Sequence, residues 1–302
     1  MLLSILWLLS GPLPALAEPC FFTLTLQERN GIYVRDLEPA ELEVRLDGRP
    51  VPVGYLGRQD VEAAFVVVLE NSPRTAQYLR SMPQWGRVNI VDQIRWGLQQ
   101  SLLDALTASG PVWLGQFFEE LETLQDFTSA PEPLIHALYE LEPRPSGIVF
   151  NNIPVGRILA HALDLLRSRT EKRKGLLFIF RTVDADTYQH REEYAQMFRQ
   201  SDVDLYLVAF APRFLAGRSG TPEERMTGAF CRSLARETGG HAWVAEEFRY
   251  IDELFTEIQG RMTAAYTVGL RVDPEEPPRE HRLEVKVRRK GCRVFHRPVL
   301  IY

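Results

Sequence analysis

Apolar positions in the first part of this chain alternate with polar ones. Within residues 18–62, the stretches 21–26 and 42–46 place an apolar side chain at nearly every second position, which is typical of strands with one buried face. The pairs Asn30-Gly31 and Asp47-Gly48 follow these stretches, and such pairs favour tight hairpin turns. The pattern therefore predicts a set of short antiparallel strands.

The same alternation returns at the end of the chain, in residues 266–302. Residues 283–287 alternate strictly, Lys290-Gly291 predicts a turn, and residues 293–297 are expected to close a hairpin with them. Each of these two β segments is too small to bury a core alone. We therefore expect 18–62 and 266–302 to pack together as one small β unit.

Between these segments, residues 63–265 show a different rhythm, in which buried strands alternate with amphipathic helices. The predicted strands lie at 63–69, 112–118, 176–180, 203–210 and 241–244, with an edge strand at 121–127, and the predicted helices at 90–106, 134–141, 158–166, 190–200, 226–238 and 251–262. This order predicts an α/β fold: a doubly wound, mostly parallel sheet with helices on both faces.

The N-terminus has the character of an export signal. Residues 1–17 carry no charge, contain an apolar stretch too short to span a bilayer, and end in an A-x-A pattern. We expect a signal peptide at 1–17 and an exported protein, whether periplasmic, cell-surface or secreted, with no membrane-spanning segment in the mature chain. The net charge of −5 over 302 residues argues against nucleic acid as the main partner.

Candidate chemistry begins where the first buried strand ends. Glu70 and Ser72 directly follow the apolar stretch 63–69, and in open α/β sheets ligands bind beyond the carboxyl ends of the strands. Ser72 has no G-x-S-x-G context, and the chain contains no P-loop, G-x-G-x-x-G, C-x-x-C or H-E-x-x-H motif. We therefore expect a protein that is not an enzyme.

Three cysteines bear on the redox state of an exported chain. Cys20 opens the first predicted strand, Cys292 lies in the last hairpin, and Cys231 falls in a helical pattern. Cys20 and Cys292 are the disulfide candidates, because the proposed β unit would bring their segments together. Three free thiols is the alternative.

Three segments in this order resemble bacterial secreted proteins with a von Willebrand factor A-related (VWA) domain. Residues 31–51 are similar to a short hairpin with V-x-D-L and D-G-x-P, residues 63–74 occupy the place of the first metal-binding motif, and residues 237–287 are similar to a T-G-G-x-A ending followed by two strands. The resemblance implies a Rossmann-like domain that binds other proteins through a metal-ion-dependent adhesion site. That site uses D-x-S-x-S, a Thr and a later Asp.

This chain departs from the implied site at most positions. Glu70 stands for the first Asp, Ser72 is kept, and Arg74 replaces the second Ser. Asn151 aligns with the Thr, and Asp184 lies close to the position of the last Asp. The guanidinium of Arg74 would supply the positive charge in place of a metal ion, since two cations a few ångströms apart repel each other strongly in a partly dry site.

We therefore expect an exported, non-enzymatic, adhesion-type protein-binding module with a degenerate site and no cofactor; the protein partner is unknown. One alternative is a rebuilt site of Glu70, Ser72, Asn151 and Asp184 that holds Mg²⁺ or Ca²⁺ and binds its ligand through the ion. A second is a metal-dependent hydrolase on the same rim, the edge of the sheet at the carboxyl ends of its strands. A third is an inert rim, with the β unit making the contacts.

Overall fold

A computed structural model describes residues 19–58, 61–76, 79–82, 86–142, 153–210, 221–245, 251–272 and 278–302. The proposed signal peptide at 1–17 and the candidate ligand Asn151 lie outside these residues. Arg74 is described only by its backbone, so the prediction that its side chain replaces a metal ion also lies outside.

The described chain folds into strands and helices in the predicted alternation. The strands are β1 (Pro19–Glu28), β2 (Leu42–Leu46), β3 (Arg49–Val51), β4 (Val53–Gly57), β5 (Ala63–Glu70), β6 (Leu79–Met82), β7 (Gly86–Asn89), β8 (Val112–Phe117), β9 (Leu121–Thr128), β10 (Arg173–Phe180), β11 (Val203–Phe210), β12 (His241–Ala245), β13 (Tyr266–Arg271), β14 (Glu280–Val287), β15 (Cys292–Phe295) and β16 (Val299–Ile301). The helices are α1 (Pro73–Ala76), α2 (Ile90–Gly97), α3 (Leu103–Thr107), α4 (Pro131–Tyr139), α5 (Val155–Arg167), α6 (Ala185–Gln189), α7 (Arg191–Arg199), α8 (Pro222–Thr238) and α9 (Ile251–Thr263), with a π-helical turn, Leu98–Leu102, joining α2 to α3.

The central sheet has six strands in the order β9-β8-β5-β10-β11-β12. Neighbouring strands are parallel, except that β9 runs antiparallel to β8 at one edge. Every residue of β5, β10 and β11 is buried, as continuous apolar runs predict for strands covered on both faces. The predicted doubly wound α/β fold and its edge strand are confirmed.

Helices cover both faces of this sheet. On one face, α2, α3, α4 and α9 pack against side chains such as Phe65, Val67 and Leu69. On the other, α5, α7 and α8 pack against Val66, Val68 and the intervening strands. Among the described helices, none combines the length and apolar character needed to cross a membrane.

The two terminal segments pair with each other in two further four-stranded sheets, of order β15-β1-β13-β4 and β16-β14-β2-β3. Their inward side chains, including Leu24, Val44, Val268 and Leu283, form a third hydrophobic cluster. The expected hairpin between β14 and the following segment is wrong. β15 pairs with β1, while β14 pairs with β2 and β16, because the chain crosses from one sheet to the other at the Lys290-Gly291 turn.

The T-G-G segment lies where the central sheet meets the terminal β segments. The Thr238 hydroxyl oxygen accepts from the N–H of Leu205 and of Gly240, each at 3.2 Å. A Cβ on Gly240 would lie 1.9 Å from the Leu205 carbonyl oxygen, so only glycine fits there. Nearby, Arg297 donates to the carbonyl oxygen of Ser201 at 2.5 Å, which ties the C-terminal segment to the start of β11.

The cysteine prediction is wrong. Cys20 and Cys292 are both free thiols. Cys292 lies opposite Glu28 at the far end of β1, eight positions from Cys20, and this spacing corresponds to about 26 Å along a strand. A disulfide needs Cα atoms within about 7 Å.

A candidate site at the carboxyl rim of the central sheet

The candidate site lies where β5 and β10 end side by side. The two strands are parallel, with Leu69 opposite Ile179, so Glu70 ends β5 close to Arg181, just beyond β10. Carboxyl ends of adjacent parallel strands are where such folds place their ligands. The fold thus brings Glu70 and Ser72 to the rim, as predicted.

Glu70 is a buried carboxylate with hydrogen-bond donors on both oxygens. Its side chain is about 1% exposed. Its Oε1 accepts from the Ser72 hydroxyl at 2.5 Å, and its Oε2 accepts from the backbone N–H of Arg181 at 2.7 Å. Hydrogen bonds to an ionised carboxylate are stronger than neutral ones. This carboxylate therefore links the ends of the two central strands.

Ser72 also begins the short helix α1. Its Oγ accepts from the Thr75 N–H at 3.3 Å, and its own N–H donates to the Thr75 hydroxyl oxygen at 2.9 Å. Pro73 follows at the first helical position, where proline is favoured. Thr75, which is about 1% exposed, was missed as a site residue, although a Ser-Pro pair after a strand indicates a helix start.

Asp184, predicted as a candidate metal ligand, makes hydrogen bonds at the starts of two helices. Its Oδ1 accepts from the Thr187 N–H at 2.9 Å, as an N-cap of α6. Its Oδ2 accepts from the Thr187 hydroxyl at 2.5 Å and from the Val155 N–H at 3.2 Å. The Gly156 N–H donates in turn to the Thr187 hydroxyl oxygen at 2.9 Å. Asp184 thus caps the N-termini of two helices, α5 and α6.

Glu70 and Asp184 direct their carboxylate oxygens at groups of the protein itself. Mg²⁺ and Ca²⁺ need several hard oxygens directed at one point. The oxygens of Glu70 and of Asp184 are instead directed at N–H and hydroxyl groups of the protein. Within the described residues, no cluster of three Asp, Glu, His or Cys side chains is arranged to hold a metal.

A cleft that sequence reasoning missed opens beside the rim. Asn71 lies between the two predicted site residues, and its side-chain amide donates to Gln116 Oε1 at 2.7 Å and to the Glu142 carbonyl oxygen at 2.9 Å. The cleft beyond it, between β9 and α4, has a volume of about 740 Å³. The polar turn after β5 was the available signal, since Asn71 belongs to it.

His190 and Asp186 lie together on the surface near Asp184. His190 Nδ1 is 2.9 Å from the Asp186 carbonyl oxygen and 3.5 Å from Asp186 Oδ1. The carbonyl and then the carboxylate of Asp186 raise the pKa of His190. Within the described residues, His190, Asp186 and Asp184 do not form a cluster that could hold a metal ion.

No family model matches this chain, and no curated protein matches it by sequence. Among solved structures, the PilB minor pilin from Streptococcus sanguinis is similar in fold, with a TM-score of 0.52 at 12% identity. The alignment covers 72% of this chain and 64% of the pilin, so this chain spans less than two thirds of that protein. At this identity the likeness concerns the fold alone.

Two other solved structures align at lower scores. The vWF domain of the type V pili tip protein Mfa5 from Porphyromonas gingivalis has a TM-score of 0.46 at 10% identity, over 67% of this chain and 95% of that domain. BatB, a conserved hypothetical protein from Bacteroides thetaiotaomicron, has a TM-score of 0.45 at 14% identity, over 66% of this chain and 98% of its own. The strand order, the helices on both faces and the likeness to the PilB minor pilin give this chain a doubly wound α/β fold, which is the fold that the von Willebrand factor A resemblance implied.

Proposed function

We propose that this chain is an exported protein-binding module of the adhesion type, that it is not an enzyme, and that it works without a metal ion at the rim. The observation that carries the proposal is the bonding of Glu70. Both oxygens of its carboxylate accept hydrogen bonds from the protein, from Ser72 and from Arg181. Each oxygen of the rim acid therefore already has a hydrogen-bond donor as its partner, and a cation would compete with the Ser72 hydroxyl and the Arg181 N–H for the charge of this carboxylate.

Burial supports a binding role over a catalytic one. The Ser72 hydroxyl and the Glu70 carboxylate, 2.5 Å apart, have the chemistry of a nucleophile and a base. Their side chains are about 0% and 1% exposed, respectively, so a substrate has no access to them. A partner protein would instead contact the outer surface of the rim.

Likeness in fold supports the adhesion class and the export. The solved structure that aligns at a TM-score of 0.52 is a minor pilin. The uncharged N-terminal segment 1–17 has the composition of an export signal. We combine the likeness in fold with the export signal and propose an exported scaffold that presents the rim of its sheet to another protein.

A metal titration tests the metal-free rim. The unfolding midpoint of the wild-type protein is expected to be the same in millimolar Mg²⁺, Ca²⁺ or EDTA, because a ligand that binds only the native state raises stability with its concentration. The double variant Glu70→Asp/Arg74→Ser, which restores the D-x-S-x-S pattern, serves as a comparison and shows whether that pattern alone lets Mg²⁺ raise the midpoint. A Mg²⁺- or Ca²⁺-dependent rise in the wild-type midpoint would contradict the metal-free proposal.

A capture experiment tests the binding role. The immobilised protein is incubated with exported and surface proteins of the source cells, with and without EDTA, and the retained proteins are identified by mass spectrometry. We expect a partner to be retained equally in both conditions. Retention that EDTA abolishes would support the metal-dependent alternative, and no retention at all would count against a binding module.

A further inference from the structure

The cleft beside the rim is built from an edge strand and one helix. Leu124 and Gln125 of β9 line one side, Ala137 and Glu140 of α4 line the other, and the volume is about 740 Å³. Binding clefts in proteins typically enclose about 300–1,000 Å³. In the described sheet, β9 has a strand partner on one side only, β8.

A β-bulge gives the cleft its shape. Gln125 lies opposite Leu114, and Thr123 lies opposite Gly115, so Leu124 is an extra residue in the β8–β9 ladder. In a regular strand, neighbouring side chains point to opposite faces. Leu124 and Gln125 are neighbours, yet both line the cleft. The bulge thus places an apolar and an amide side chain on the same side, as bulges at sheet edges commonly do.

Hydrogen bonds between side chains fix the polar wall of the cleft. Asn71 donates to Gln116 Oε1 at 2.7 Å, and Gln116 Nε2 donates to Glu122 Oε2 at 2.8 Å. This chain of bonds orients the two amides before any partner arrives. A preformed polar wall reduces the conformational entropy that binding would otherwise remove.

Acidic side chains outnumber basic ones around the cleft, although the Arg95 guanidinium lies beside it and donates to the carbonyl oxygens of Tyr139 and Leu141. Between Trp96 and Pro143 the sequence contains eight Asp or Glu residues and no Lys or Arg, although the whole chain has a net charge of only −5. Glu140 and Glu142 line the cleft and are both exposed. A cleft lined by acidic side chains has a negative electrostatic potential, which attracts a positively charged partner and repels a negatively charged one.

We propose that this cleft binds a segment of a partner protein that carries Lys or Arg side chains between apolar ones. The basic side chain would lie against Glu140 and Glu142, and an apolar neighbour would contact Leu124 and Ala137. The amides of Gln116 and Gln125 would face the polar backbone of the segment. This inference rests on the proposed function, because it gives the protein-binding module the chemistry of its partner.

Labelled peptides test this assignment by fluorescence anisotropy. The probe is a short fluorescein-labelled peptide in which Lys alternates with Val and Ser, and matched peptides carry Gln or Glu in place of Lys. We expect the Lys peptide to bind and to weaken as salt is raised, and the Glu peptide not to bind. Equal binding of the three peptides would overturn the proposal.

Two double variants locate the binding. Glu140→Gln/Glu142→Gln should weaken binding of the Lys peptide about tenfold, because it removes both carboxylates that the basic side chain would pair with. The matched control is Glu192→Gln/Glu193→Gln, which removes two neighbouring exposed acids from α7 on the opposite face of the sheet. Equal effects of the two double variants would overturn the proposal. The proposal would also be overturned if the wild-type protein dimerises and only the cleft variant abolishes the dimer, because a second copy of the chain would then occupy the cleft.

The two proposals fail in different ways. If the wild-type protein captures a partner and Glu140→Gln/Glu142→Gln captures it equally well, the cleft assignment is wrong and the binding function stands. If the wild-type protein captures no partner, the proposed function is wrong, and the peptide measurement alone decides whether the cleft binds basic segments.

Discussion

The Glu70 carboxylate accepts a hydrogen bond from the backbone N–H of Arg181 at 2.7 Å. Glu70 ends β5 and Arg181 follows β10, so this bond joins the two central strands where parallel pairing stops. The same carboxylate accepts from Ser72. An Asp at position 70 would be one methylene shorter, and we attribute the Glu to the reach that both bonds require.

Replacing Glu70 should therefore destabilise the fold. In Glu70→Ala, the Ser72 hydroxyl and the Arg181 N–H lose their acceptor, and each unsatisfied buried group costs about 1–3 kcal/mol. We expect a loss of about 3 kcal/mol in the free energy of unfolding, measured by urea titration. Glu119→Ala, an exposed acid just beyond β8, is the control and should change stability by less than about 0.5 kcal/mol. Equal losses in the two variants would show that the bonds of Glu70 carry no net stability.

Patterns in the sequence predicted the central sheet because its strands are buried on both faces. Positions 63–69 and 176–180 are apolar without interruption, positions 203–210 are apolar except for Asp204, and all are buried, so local composition and tertiary environment agree. The final hairpin was predicted wrongly for the opposite reason. β14 and β15 are each short, and apolar and polar residues alternate along them. Such a segment can pair with any neighbouring strand whose apolar side chains face the same core. The choice of β1 as the partner of β15 depends on how the two terminal sheets stack.

Asp184 shows a second limit of prediction from sequence patterns. Its position after β10 made it a candidate ligand, but an Asp before a helical segment is also a common N-cap. The sequence 184–187, an Asp followed three positions later by a Thr, favours capping equally well. Nothing in the sequence indicates that Val155, some thirty residues earlier, donates to the same carboxylate. That contact is set by the packing of α5 against α6.

Asp184→Ala should lower stability through two helix ends at once. The variant leaves the N–H groups of Thr187 and Val155 without their acceptor, and loss of one N-cap costs about 1 kcal/mol. We expect a loss of about 2 kcal/mol by urea unfolding. Asp186→Ala, two positions later with a side chain 72% exposed, is the matched control and should be near neutral. A larger effect for Asp186 than for Asp184 would contradict the capping role.

A buried acid at the other end of the sheet links stability to pH. Asp204, near the start of β11, is about 3% exposed, and burial raises its pKa to about 6 from an ordinary value of 3.8. The Arg297 guanidinium, a hydrogen bond from Thr23 and the Arg173 guanidinium each act to lower that pKa, but the loss of hydration prevails. The native state therefore binds this proton more tightly than the unfolded chain does.

Stability from Asp204 should fall as the pH rises from about 4 to about 6. In that window the native protein holds a proton that the unfolded chain has released, so the free energy of unfolding decreases with pH. A shift of about two pKa units corresponds to a loss of about 3 kcal/mol of stability, which is absent below the window and complete above it. Urea titrations across the window measure the slope, and Asp204→Asn, which keeps the shape and cannot ionise, serves as the comparison. The wild-type protein should lose more stability than Asp204→Asn between the two ends. Parallel profiles would mean that Asp204 has an ordinary pKa in the folded protein.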